Sequence, residues 1–125
     1  MYIYFGIHMW HVDAPVCKQK WAKEAETRLL RRVKVKRTDK VKGVSVKFDS
    51  TGTMMTTKDF AEFVGKLNGD VTFQIGPADG WDNLDADHVI SISPMTFAHE
   101  LAYIILLEQL YRVHSIQQNL PYTKH

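Results

Sequence analysis

The chain has 125 residues, 45% hydrophobic and 24% charged, with 16 Lys plus Arg against 14 Asp plus Glu and one cysteine. That size suits one domain of about 100–150 residues with its own core, and a lone cysteine excludes an internal disulfide and with it a secreted, disulfide-held scaffold. No apolar run reaches the ~18–20 residues of a membrane-spanning helix. The apolar stretch from Met1 to Trp10 lacks a basic start and carries His8, unlike a signal peptide, and the aromatic and aliphatic content excludes disorder. The expectation is a soluble, cytoplasmic, single domain over 1–125.

The net charge of +2 conceals an asymmetry: residues 1–47 hold 12 basic and 4 acidic side chains, whereas 48–125 hold 4 and 10. The basic half centres on Arg28, Arg31, Arg32, Lys34, Lys36, Arg37, Lys40 and Lys42. It reads either as a solvated helix end with a charged loop or as a face for a polyanion, since a field depends on where charges sit and not only on their total.

In chain order, Tyr2 to His8 has the aromatic and branched density of a strand. Asp13 is placed to cap a helix with Pro15 in its first turn. Cys17, Trp21, Ala25, Leu29 and Val33 then recur every four residues as an apolar stripe. Val33 to Lys36 alternates, so the segment reads equally as the end of that helix or as a short strand. Val44, Val46 and Phe48 predict a strand over 43–49, ended by a turn at Asp49-Ser50-Thr51-Gly52. Thr56 and Asp59 have capping-box spacing before Phe60, Phe63, Val64 and Leu67, a helix closed by Asn68-Gly69. Val71, Phe73 and Ile75 form another strand, followed by Gly76-Pro77-Ala78-Asp79-Gly80; Val89 to Ser93 is the last. The longest helix runs from Ala98 to Gln118, and Leu101 to Leu107 leave its first turns apolar on every side, which predicts burial all round and suggests a dimer.

Strands alternating with helices predict an α/β fold with a mainly parallel sheet. Ligands of such sheets bind beyond the carboxyl ends of the strands, so the loops after Phe48, Ile75 and Ser93 are the first candidates for a site. By itself the 76–80 loop reads as a turn, because it has neither GxGxxG nor a GK[ST] clamp. His8 and His11 have no third ligand near in sequence, so no metal site is expected. Cys17 reads as a buried structural thiol, and Glu108 with Arg112 as an ordinary i,i+4 pair.

The C-terminal third carries more. Met95-Thr96-Phe97-Ala98-His99-Glu100-Leu101, Glu108-Gln109-Leu110-Tyr111-Arg112, and Asn119-Leu120-Pro121-Tyr122 closely resemble the SPOUT-superfamily methyltransferases that modify N3 of a pseudouridine in large-subunit ribosomal RNA. Gln74 to Gly80 matches that family's Leu-Ile-Gly-Gly-Pro-Glu-Gly loop at the right distance upstream, and the likeness spans about Val44 to Tyr122. It implies a SPOUT-like sheet with a C-terminal deep trefoil knot, a homodimer through the last helix, and an S-adenosylmethionine pocket. The residues carried over to that pocket are Phe48, Gly76, Pro77, Ile92, Ser93, Pro94, Met95, Thr96 and Phe97.

Removing the imide proton needs a base near neutral pH. His99, Tyr122 and His125 are the candidates, with Arg112 to orient phosphate or support the tail. Arg31, Arg32, Lys34, Lys36 and Arg37 would bind ribosomal RNA or the ribosome. Neither metal nor membrane is implied. The departures are Pro77 in place of a glycine, which removes an N–H, Ala78 and Asp79 for Pro and Glu, Thr123 for His, and a basic 34–42 segment where the family has a further strand and helix. They leave a second reading open: a non-catalytic RNA- or ribosome-binding homologue.

Overall fold

A computed structural model describes residues 8–77 and 80–119. Five strands, β1 (His8–Asp13), β2 (Lys36–Arg37), β3 (Val44–Met54), β4 (Gly69–Ile75) and β5 (His88–Ser91), form one sheet in the order β2-β1-β4-β3-β5, and every pairing is parallel. Three helices, α1 (Lys20–Leu30), α2 (Thr57–Gly65) and α3 (His99–Gln117), complete it. The α/β expectation holds.

The register separates two kinds of cross-strand row. Trp10, Val71 and Val44 align, as do Val12, Phe73 and Val46, and then Ile75, Phe48 and Ile90. On this apolar face Phe60 of α2 packs against Phe48 and Phe73, with ring centroids 6.3 and 6.2 Å away. Tyr103, Leu106, Leu107 and Leu110 of α3 belong to the same buried cluster. Each such side chain taken fully from water contributes about 1.5–3 kcal/mol. The alternate rows, His11–Thr72–Ser45 and Asp13–Gln74–Lys47, are polar. Parallel sheets need both faces covered, and here loops rather than helices satisfy these side chains. Thr72 exchanges hydrogen bonds with the backbone of Lys42, Ser45 pairs with Asp87, and the Lys47 ammonium donates to Asn83.

Several sequence expectations shift. The first strand, expected at Tyr2 to His8, is described over His8–Asp13, and the rest of the expected span lies outside the described residues. Asp13 and Pro15 do not start α1: it begins at Lys20 after Gln19, which makes no side-chain cap. The capping group comes from another helix, because Glu100 Oε1 accepts the backbone N–H groups of Lys18 (2.8 Å) and Gln19 (3.0 Å). The buried face of α1 is correspondingly rotated by one residue, with Ala22 buried and Ala25, Glu26, Leu29 and Leu30 half-buried, while Trp21 is 46% exposed. A capping glutamate 81 residues away in sequence leaves no local signal.

The turn expected at 49–52 is instead part of β3, which changes register between Phe48 and Thr53 so that Ile90 pairs with both. Gly52 permits this: a Cβ there would lie 2.7 Å from the backbone carbon of Ile90. The 34–42 segment carries β2, so it is not merely a loop. Thr56 and Asp59 form the expected reciprocal capping box of α2, but the helix ends earlier than expected, at Gly65 with Lys66 as its C-cap, and Gly69 at φ +71° opens β4 instead of closing α2.

The Glu100 contact makes a pH prediction. The N–H groups of Gln19 and Lys18 hold its carboxyl below the usual carboxylate range, against an opposing effect of burial. A lowered folded-state pKa contributes stability that is present above the ordinary carboxylate range and is lost as pH falls through the lowered value. Thermal melts of Glu100→Gln against pH should therefore show a flatter acid limb than wild type; parallel limbs would remove the cap from the account.

Candidate functional site

The apolar face ends, at the carboxyl edge of the sheet, in a cavity of about 510 Å³. Its walls are Phe48, Asp49 and Ser50 within β3, Ile75, Gly76, Pro77, Gly80 and Trp81 at and after the end of β4, Ile92, Ser93 and Met95 to His99 after β5, and Ala102 of α3. Eight of the nine residues assigned to a cofactor line it: Phe48, Gly76, Pro77, Ile92, Ser93, Met95, Thr96 and Phe97. Pro94 lies within the same segment but not in the lining. Segments separated by tens of residues converge because the parallel register sets the irregularity of β3 after Phe48 beside the ends of β4 and β5, at the edge where such sheets place ligands.

Each wall is tied by short-range bonds. The Ser91 hydroxyl donates to the Ser93 carbonyl at 2.8 Å, and the Met95 N–H donates to the Ser93 hydroxyl at 3.0 Å. The Gly80 N–H donates to the Pro77 carbonyl at 2.9 Å, with Gly80 at φ +83°. Asp49 Oδ2 accepts the Thr51 N–H at 3.1 Å and the Thr51 hydroxyl at 2.5 Å. Asp49 and His99 are the ionisable groups among the described lining residues.

The remaining candidates are dispersed. His99 lines the cavity at the first turn of α3, with Nε2 3.9 Å from Glu100 Oε2. Arg112 lies more than three turns further along α3, outside the cavity lining, with Nε donating to Glu108 Oε2 at 2.7 Å, the expected i,i+4 pair. Tyr122 and His125 lie outside the described residues, as do Ala78 and Asp79. Cys17 is buried, and burial, then Glu26, pushes its thiol up, which suits a structural role. Among the described residues no three metal-ligating side chains gather, and no helix is long and apolar enough to cross a membrane.

Of the proposed RNA contacts, Arg31, Arg32, Lys34 and Lys36 are exposed. Arg37 differs, because its guanidinium is engaged within the fold. Nε donates to Glu26 Oε2 at 3.1 Å, the two terminal nitrogens donate to the carbonyls of Ala14 (2.7 Å) and Pro15 (3.1 Å), and the group sits 4.7 Å from the Tyr103 ring centroid. Phosphate binding would compete with all of these contacts.

Sequence reasoning missed Asp49 and Trp81. Asp49 follows Phe48 directly, in a cluster whose composition predicts a turn. Trp81 stands one residue beyond the glycine loop, and a large aromatic at that place was the available signal. Its Nε1–H donates to the Phe48 carbonyl at 3.0 Å.

A parallel α/β domain with a ligand-sized cavity across its strand ends is the class that fold and site define. The chain belongs to the SPOUT methyltransferase family, whose profile, described as "Predicted SPOUT methyltransferase", matches residues 4–123. Among curated proteins it is similar to the "Ribosomal RNA large subunit methyltransferase H" of Nitratidesulfovibrio vulgaris, 42% identical over 86 residues that cover 63% of this chain and 55% of that protein. The protein of the same name from Koribacter versatilis is 40% identical over 86 residues, covering 63% and 59%. The chain thus spans little more than half the length of these relatives. A solved structure, "a probable methylase family protein from Haemophilus influenzae", superposes with a TM-score of 0.55 at 12% identity, covering 91% of this chain and 66% of that one, a likeness of fold.

Proposed function

We propose that the chain is an S-adenosylmethionine-dependent methyltransferase acting on N3 of a pseudouridine in large-subunit ribosomal RNA, as a cytoplasmic homodimer with a knotted C-terminal helix. The observation that carries the reading is the cavity itself, because residues expected to touch the cofactor line it from three separate segments. Its chemistry fits the ligand. The volume accommodates a nucleoside-sized molecule, Phe48, Phe97 and Trp81 offer aromatic surface, and Asp49 supplies a carboxylate to a cofactor that is cationic at sulfur. The names of the relatives supply the substrate class.

When bound, the cofactor brings the activated methyl group; the chain binds it, orients the target nitrogen and takes up a proton. Among the described residues His99 is the base candidate that lines the cavity, and Tyr122, His125 and Arg112 are further candidates for the reaction. Arg31, Arg32, Lys34 and Lys36 would hold RNA phosphates. Leu101, 38% exposed, and the half-buried Ile104 and Ile105 supply an apolar strip on α3 suited to a second copy.

Pro77 supports the alternative of a non-catalytic RNA-binding homologue, because it lines the cavity yet has no N–H to offer. Titration calorimetry with S-adenosylmethionine separates the two. Binding is expected, and none at millimolar cofactor would overturn the enzyme reading. Methyl transfer to ribosomes lacking the modification then tests the target.

A further inference from the structure

We propose that Trp81 is the aromatic wall against which the adenine of the cofactor lies. The inference rests on the cofactor reading and adds to it a residue that the resemblance does not assign.

Phe48 and Trp81 both reach the cavity, but only one of them is committed to the core. The ring of Phe48 packs against Phe60 and Phe73, each at 6.3 Å between centroids. Trp81 makes different contacts, two of them with residues of β3. Its Nε1–H donates to the Phe48 carbonyl at 3.0 Å. The Lys47 ammonium stands 4.5 Å from the ring centroid, and the same ammonium donates to the backbone and side-chain oxygens of Asn83 at 3.2 and 3.4 Å. Lys47 is only 9% exposed, and a buried ammonium requires such partners. The ring is therefore tied to β3 twice, through the Phe48 carbonyl and through Lys47, which Asn83 holds in place.

Gly76 completes the arrangement. A Cβ at that position would lie 3.0 to 3.3 Å from three atoms of the indole, tighter than ordinary contact. The absence of a side chain lets the glycine loop close against Trp81, so that loop and ring form one continuous wall. Pro77, next in the loop, has no N–H to donate to a ligand. The indole supplies this side of the cavity with aromatic surface for contact. A ring already held in place orders a planar base at little further entropic cost, and base–aromatic stacking is sequence-independent chemistry that any adenosine-containing ligand can use.

The test uses S-adenosylhomocysteine, adenosine and methionine as probes, with calorimetry and tryptophan emission as readouts. Wild-type protein should bind the first two with a change in emission that methionine does not produce. Trp81→Ala should weaken S-adenosylhomocysteine and adenosine together by about tenfold or more, and Trp81→Phe should recover most of that loss. The emission change should vanish in Trp81→Phe and persist when the exposed Trp21 is replaced by Phe. Trp81→Ala binding at wild-type affinity would overturn the proposal, as would calorimetric binding of adenosine with no change in emission. The second criterion needs only wild-type protein and Trp81→Phe, so it stands if Trp81→Ala fails to fold. Wild-type protein that binds neither adenosine-containing probe would instead overturn the cofactor reading and this inference with it. A failure confined to the Trp81 variants leaves the cofactor reading in place.

Discussion

Replacing Gly43 by alanine should destabilise the protein by about 3–5 kcal/mol, through backbone strain and overpacking combined. Gly43 has φ +70°, and a Cβ there would lie 1.9 Å from the carbonyl oxygen of Asp70 and 2.6 Å from its carbonyl carbon. The atoms it would meet are backbone and cannot rotate away. Nor can the strand recede, because Asp70 pairs with Met9 of β1 and its carboxylate accepts a hydrogen bond from His11 at 3.0 Å. Gly69 is the natural control. It has φ +71° but open space within 4 Å of an added Cβ, so Gly69→Ala carries the conformational cost alone, about 1–2 kcal/mol. Urea unfolding of the two variants measures the difference, and equal midpoints would show that the close approach at Gly43 is not what constrains it.

The second large effect is expected at Arg37. This residue joins the loop at Ala14 and Pro15, Glu26 of α1 and Tyr103 of α3 to strand β2. The Tyr103 hydroxyl donates to the same Glu26 oxygen that Arg37 holds, and burial, with Glu26, pushes that phenol above its ordinary range. Arg37→Ala would leave the Glu26 carboxylate without its cation and two carbonyls without donors. A pair broken in this way costs several kcal/mol when fully buried. The Arg37 side chain is 34% exposed, so solvent screening reduces the expected loss to roughly 2–3 kcal/mol. Lysine should recover only part of it, since a point charge cannot reproduce the planar fork that reaches a carboxylate and two carbonyls together.

The contrast with the neighbouring basic residues separates stability from RNA binding. Arg31→Ala with Lys34→Ala should leave the urea midpoint nearly unchanged while weakening RNA binding and reducing its dependence on salt, because each phosphate contact contributes to that slope. If Arg37→Ala unfolds at the wild-type midpoint, the network is not a structural node.

These two residues also mark where reading the chain alone succeeds and stops. Arg37 looks in sequence like one more member of a basic run, and nothing local distinguishes it from Arg31 or Lys36. Its different role follows from β2 lying beside β1, which brings it over residues more than ten positions away. The frame of α1 has the same character: a four-residue apolar period suggested Trp21, but the face that turns inward is set by α3, whose Glu100 also supplies the cap.

What the amino-acid sequence determined by itself was local. Alternation of Val44, Val46 and Phe48, the Thr56–Asp59 capping box and the long helix of the last third all depend on neighbours within a few positions, and each appears in the structure as expected. The alternation of strands and helices led to a parallel sheet and hence to its carboxyl edge, and the motifs of the last third led to the family. Only the tertiary structure decided which charged side chain is spent on the fold, which aromatic forms the cavity wall, and that 49–52 continues a strand. Those outcomes depend on contacts between segments tens of residues apart, whose energies no local pattern of residues expresses.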